Sequence, residues 1–383
     1  MIPSFERPFI SALKEALETH SNFIHVVIGP RQVGKTIGVL QLLENTRSGD
    51  SFYVSADGDL QQPLSWLTEQ WVLARSKNKK CLLVIDEIQK VENWSEGIKK
   101  LWDEEKRRPT SERMRVILLG SSSLDVQKGL SESLTGRYVQ HVVYHWGQEE
   151  SETAFGVRFE DYLVYGGYPG SYAFLNKRAE WINYLKNSII NPVLGKDILS
   201  IARVKSPALF RQCFQLACSY AAQEISYTKL LGQLQSKGNT DLVKHYLELF
   251  EGAFLIRQLQ KFSRGPLSAR TSSPKILVLC PALYSVTLDA ELDDAHKGRA
   301  FEGFIGSQLA QLPGELYYWR EGNREVDFVL KYGKKLWAIE VKRQLRGASG
   351  LKAFQDKYKE AILVLITPEN FRRVLSNLSV QLE

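Results

Sequence analysis

The residues best placed to do chemistry lie at positions 29 to 36. There Gly29-Pro30-Arg31-Gln32-Val33-Gly34-Lys35-Thr36 sets two glycines, a lysine and a hydroxyl at the spacing G-x-x-x-x-G-K-[ST]. Glycines let backbone N–H groups curl around a phosphate, and a helix opening at Lys35 would add its positive dipole end. Lys35 would neutralise the β and γ phosphates of a bound ATP, and the Thr36 hydroxyl would ligate Mg2+. A second pair, Asp86-Glu87, ends the apolar run that starts at Cys81. At the carboxyl edge of an open α/β sheet, Asp86 can hold the same Mg2+ through water and Glu87 can polarise an attacking water. Ser121-Ser122-Ser123 follows the run VILLG and offers a hydroxyl, most simply Ser122, to sense the γ-phosphate. Arg137, after Gly136, either reaches a nucleotide in a neighbouring subunit as an arginine finger does or stands in a surface turn. ATP binding would rest on Gly29, Gly34, Lys35, Thr36 and Asp86, and hydrolysis on Lys35, Glu87, Arg137 and Ser122. Burial of Lys35 against the core, or a purified protein with no affinity for nucleotide, would remove this reading.

A second constellation comprises Glu302, Asp327, Glu340 and Lys342, in the last hundred residues. If residues 325–330 and 335–342 pair across a two-residue Gly333-Lys334 turn, with Gly first as a type II′ turn prefers, opposed residue numbers sum to 667 and Asp327 faces Glu340. Directly opposed Cβ atoms lie about 4.5–5.5 Å apart, so two like charges there need a bridge. Side chains alternate along a strand, which puts Glu340 and Lys342 on one face. A divalent cation, Mg2+ or Mn2+, is one such bridge, with Lys342 orienting a water or stabilising phosphate charge. Alternatively, Lys342 alone neutralises the pair as a structural ion network.

The elements that must position these residues follow from periodicity. Apolar, β-rich runs at 23–29, 51–56, 81–86, 115–120 and 138–146 alternate with helix-like stretches. Continuous apolarity is what a parallel strand covered on both faces needs, so the first part is expected to be an α/β parallel sheet. Further on, ALFRQCFQLACSYAA, SYTKLLGQLQS and NTDLVKHYLELFEGAFLI are amphipathic and divided by short turns, with Asn239 as a cap. Strand-like FLIRQLQKF and KILVLC come next, a winged helix-turn-helix pattern that docks DNA or packs subunits. Lys229, Lys237, Lys244 and Arg257 are its cations.

The 383 residues suggest two or three domains. Residues 1–155 carry 19 Lys and Arg against 21 Asp and Glu, whereas residues 156–383 carry 31 against 22, so the second half is net basic by 9 charges. Such an excess is either an ordinary solvated surface or the mark of a polyanionic partner, and the polyanion is the favoured reading. No stretch reaches 18 uncharged apolar positions, which argues against membrane insertion. Four cysteines without a CxxC pair read as buried thiols in a reducing cytosol.

Taken in order, GPRQVGKT, LLVIDEIQK, ILLGSSS, LTGRY, GGYPG, EVDFVL and AIEVK resemble the prokaryotic AAA-type ATPases that carry a C-terminal DUF4143 domain. The resemblance implies an AAA+ P-loop core over 1–155, a helical and winged-helix region over 156–265 and a restriction-endonuclease-like tail of the PD-(D/E)xK type over 266–383. By motif match, the family's nucleotide residues fall on Gly29, Gly34, Lys35, Thr36, Asp86 and Glu87, and its arginine on Arg137. The nuclease-like pattern falls on Glu302, Asp327, Glu340 and Lys342, with Val326 where the signature has proline. The expectation is a cytoplasmic, ATP- and Mg2+-dependent homo-oligomer, a ring with a hexamer favoured, working on DNA mainly through backbone contacts. A metal-dependent DNA nuclease regulated by ATP is one alternative. The other is a nucleotide-gated protein-interaction switch without nucleic acid.

Overall fold

A computed structural model describes residues 5–46, 49–58, 61–120, 123–199, 202, 204, 206–234, 239–263, 272–288, 292–343 and 349–382. Two compact units emerge where the sequence reading drew three segments. The first comprises residues 1–145 with 189–203, and the second comprises 146–188 with 204–383.

In the first unit, strands β1 (Ile24–Ile28), β2 (Ser51–Ser55), β3 (Leu82–Asp86), β4 (Arg115–Leu119) and β5 (Tyr138–Val142) form one sheet in the order β2-β3-β4-β1-β5. Every pairing is parallel. The interior strands β1 and β3 are buried along their whole length, which is why their sequences run apolar without alternation. Helices α1 (Pro8–Thr19), α2 (Lys35–Glu44), α3 (Pro63–Lys77), α4 (Trp94–Glu105) and α5 (Ser123–Ser133) connect and cover the strands, α1 packing on α2 and α4 on both α3 and α5. The fifth run stops pairing at Val142, short of the expected 146. Its partner β1 ends at Ile28, where the glycine-rich loop begins, and nothing remains to pair with.

The second unit holds two further sheets. Strands β6 (Gln223–Glu224), β7 (Ile256–Leu259) and β8 (Lys275–Val278) are antiparallel in the order β6-β8-β7, beside helices Pro207–Ser219, Tyr227–Gln233 and Thr240–Gly252. Asn239 caps the last helix by accepting the Leu242 N–H at 3.1 Å. Strands β9 (Glu315–Glu321), β10 (Arg324–Tyr332), β11 (Lys335–Val341) and β12 (Ile362–Ile366) form the other sheet, antiparallel except where β12 runs parallel to β11. Helix Asp294–Leu309 packs on β8, β10 and β11, and helix Ser349–Lys357 packs on β10, β11 and β12.

The β10–β11 hairpin has the expected register. Phe328 pairs with Ile339, Val329 with Ala338, Leu330 with Trp337, Lys331 with Leu336 and Tyr332 with Lys335. Gly333 takes φ 57° and Lys334 is not in the left-handed region, the pattern of a type II′ turn.

Candidate nucleotide site and carboxylate cluster

The loop after β1 lies at the carboxyl edge of the sheet and opens α2 at Lys35. Gly29 is required by space as well as by its φ of 149°, because a Cβ there would stand 1.9 Å from the Val143 carbonyl oxygen. The buried Arg7 guanidinium donates to the Val33 carbonyl at 2.8 Å and bonds the Tyr144 carbonyl, bracing the loop from behind. Lys35 is 7% exposed, and its ammonium has polar partners. Its ammonium donates to the carbonyls of Gly29 at 2.9 Å and Pro30 at 2.6 Å, inside the curl of its own loop. Burial pulls that ammonium down to about 8, against the opposing pull of Glu87 and Asp86. A cation so placed gains an anionic partner when a phosphate enters the loop.

Asp86 gathers the neighbouring groups. Its Oδ2 accepts from the Thr36 hydroxyl at 2.8 Å and from the Tyr53 hydroxyl at 3.0 Å, and its Oδ1 accepts from the Glu87 N–H at 2.8 Å. Thr36 and Asp86 therefore converge as the oxygen pair that a Mg2+ ion would need, so the residues present fit ATP and Mg2+. Glu87 sits in the left-handed region at φ 54°, and its carboxylate accepts from Gln89 Nε2. Burial and Asp86 hold the Tyr53 phenol well above its ordinary value. Tyr53 and Gln89 were not foreseen. Tyr53 was readable in principle, since Ser55 pairs with Asp86 and residues two apart on a strand share a face.

Two further side chains meet at this loop. Arg31 forms a two-pronged ion pair with Asp197, a buried acid on the π-helical turn Val193–Ile198. Ser122 lies outside the described residues. Arg137 stands at the opposite, amino-terminal edge of the sheet, where its carbonyl accepts the Ile24 N–H and its guanidinium forks onto Asp103 at 2.9 and 3.0 Å.

In the second unit Asp327 and Glu340 are buried, and Glu302 reaches the same place from helix Asp294–Leu309. Lys342 Nζ is 2.9 Å from Glu340 Oε1, so the two do share a face. Asp327 Oδ2 accepts the Val341 N–H at 2.8 Å. A residue the sequence reading missed completes the group: Lys275 of β8 donates to Glu302 Oε1 at 2.5 Å and to the Asp327 carbonyl at 3.2 Å. Among the described residues, no three His, Cys, Asp or Glu side chains converge as a metal-ligand set. Lys275 and Lys342 are the cations that the described residues place against these carboxylates. Of the middle region's cations, Arg257 turns inward to the Ala310 carbonyl at 3.0 Å, Lys229 and Lys244 lie over Tyr220 and Tyr227, and Lys237 is outside the described residues. No helix among the described residues is long and apolar enough to cross a membrane.

Comparison with known proteins agrees with the order of these parts. Residues 21–152 match the family described as AAA domain, residues 157–294 a domain of unknown function, DUF8612, and residues 297–381 the domain of unknown function DUF4143. An uncharacterised protein of Methanocaldococcus jannaschii is 24% identical over 88% of this chain and 79% of its own length. One from Mycobacterium tuberculosis is 26% identical over 88% of this chain and 74% of its own. Among solved structures, a Walker-type ATPase of Pyrococcus abyssi matches 74% of this chain and 98% of its own, at 16% identity and a TM-score of 0.46. The chain thus carries an AAA domain over residues 21–152 and a DUF4143 domain over residues 297–381.

Proposed function

We propose that the protein is a Mg2+-dependent ATPase that couples hydrolysis to work on DNA. The observation carrying the hydrolytic part is the meeting of Thr36 and Asp86 at 2.8 Å beside a lysine held inside the phosphate loop. Lys35 and the loop N–H groups bind the β and γ phosphates, Thr36 and Asp86 hold Mg2+, and Glu87 accepts from and orients the attacking water. Mg2+ supplies charge that stabilises the phosphoryl oxygens as the bond breaks. Ser122 is kept in this reading as the sensor of the γ-phosphate.

Arg137 supports self-association. It lies at the sheet edge remote from its own loop and pairs with Asp103 there, so a nucleotide it serves would belong to a neighbouring copy, as in a closed ring of identical subunits. A hexamer is the ring size we favour.

DNA as the partner rests on the basic second half and on the middle region, which we read as a winged helix. Its order of helix, short strand, two helices and two strands, with β8 central in the sheet, supports that reading. Contacts would go mainly to the phosphate backbone, without sequence specificity. We read the C-terminal region, with β9 to β12 flanked by helices, as a nuclease-like fold that grips nucleic acid.

The test is ATP turnover of the full chain with and without single-stranded, duplex, forked and junction DNA at low and high salt. Turnover that depends on Lys35 and Glu87, rises several-fold with DNA and loses that stimulation in salt is expected. Intact turnover indifferent to every DNA would leave the protein-interaction switch in its place, and absent turnover would end the hydrolytic reading.

A further inference from the structure

Glu302 and Asp327 share the Lys275 ammonium, and Glu340, whose carboxyl senses Asp327, pairs with Lys342; acids at such buried or half-buried positions persist only with matching positive charge. One ammonium is local in sequence, Lys342 on Glu340. The other comes from a different sheet. Lys275 is 7% exposed, and strand pairing on both sides of β8 fixes its backbone. Its Nζ lies 2.5 Å from Glu302 Oε1, 3.2 Å from the Asp327 carbonyl, 3.9 Å from Asp327 Oδ1 and 5.0 Å above the Phe328 ring.

We infer that Lys275 is the resident cation of this cluster, filling the position a divalent metal would need between Glu302 and Asp327, so that the C-terminal region takes up neither Mg2+ nor Mn2+ and does not cut DNA. Mg2+ demands oxygen ligands at about 2.0–2.1 Å in near-octahedral order. An ammonium already 2.5 Å from one of those oxygens excludes the ion sterically and repels it. Asp327 Oδ2 is also committed to the Val341 N–H. Access is not what keeps a metal out, because a cavity of about 280 Å3 lined by Lys275, Glu302, Asp327, Arg299, Glu325 and Trp319 opens onto the cluster. Burial alone would lower the Lys275 ammonium, but Glu302 and Asp327 together hold it above the ordinary lysine value, as a permanent counter-ion requires. Glu340 Oε2 is buried without a hydrogen-bond partner among the described residues, an acceptor that a new cation could use once Lys275 is gone.

The experiment is Mn2+ binding by electron paramagnetic resonance to the nucleotide-free full chain, comparing wild type, Asp327→Asn, Lys275→Met and the Lys275→Met/Asp327→Asn double variant. Wild type and Asp327→Asn should bind the same number of Mn2+ ions. Lys275→Met should gain one ion per chain, and the double variant should lose it. A wild-type Mn2+ ion that disappears in Asp327→Asn overturns the inference, as does a folded Lys275→Met that gains none. If Lys275→Met does not fold, the wild-type and Asp327→Asn pair decides alone: equal binding supports the resident ammonium and unequal binding refutes it.

Discussion

Arg31, two residues beyond the first glycine of the phosphate loop, grips both carboxylate oxygens of Asp197 with its Nε and Nη2. Asp197 belongs to residues 189–203, which fold with the ATPase unit although the chain on either side of them belongs to the other. A loop that must receive phosphate is thereby tied to the one stretch that interrupts the second unit. Asp197 also lies close enough to Lys35 to bias its charge.

Asp197→Asn should act in two directions at once. Loss of the buried, charge-assisted pair costs about 1–3 kcal/mol of stability, read as a lower melting temperature without nucleotide. Removing one negative charge from the phosphate site and releasing Arg31 should tighten ATP binding by about 1 kcal/mol, roughly fivefold. Calorimetric titration of ATP into both proteins checks this; weaker binding by the variant would show that Asp197 orders the loop for its ligand.

Lys35 carries a pH signature. Its ammonium is held to about 8 in the folded chain, against about 10.4 unfolded. Because the unfolded state binds more protons between those values, stability rises with pH through that window; the penalty is fully present below pH 8 and relieved toward pH 10.4. The magnitude is about 2–3 kcal/mol. Chemical denaturation of nucleotide-free wild type and Lys35→Met should therefore show a stability difference that shifts in favour of wild type by that amount from pH 7.5 to about 10. The same variant should lose ATP turnover by at least about a hundredfold.

How much of this was legible in the sequence depended on how local the signal was. The phosphate loop declares itself because its eight residues are contiguous, and the hairpin register because a two-residue turn fixes every pair behind it. Lys275 gave no such signal. It opens an ordinary apolar strand, and its partners Glu302 and Asp327 lie 27 and 52 residues away on other elements. Asp197 is 166 residues from Arg31 in an unremarkable helical stretch. Local pattern finds motifs that bind with their own backbone; ion networks assembled by tertiary folding leave single charged residues that look like surface.

Arg137 and Asp103 separate a finger from a surface turn. Their fork is partly exposed, and such pairs add little to stability. If Arg137 serves a neighbouring nucleotide, Arg137→Ala should lower turnover by about a thousandfold while ATP binding by the dilute protein persists. Asp103→Ala, which frees the guanidinium, should leave turnover intact or raise it. Equal loss in both variants would mean that the fork only shapes the turn before β5.

His25 and His141 stack across β1 and β5 with ring nitrogens 3.0 Å apart. Burial first, then His141, pulls His25 down to about 4. The unfolded chain takes up this proton near pH 6.5 and the folded chain only near 4, so stability falls as pH drops through that interval, by about 3 kcal/mol for His25 alone. The His25 ring is held chiefly by the His141 ring, so an apolar side chain of strand-forming type gives up one neutral hydrogen bond. His25→Val should match or exceed wild type at pH 7 and lose clearly less stability between pH 6.5 and 4.5, measured by urea denaturation at each pH. Parallel acid loss in the two proteins would place the titrating charge elsewhere in the sheet.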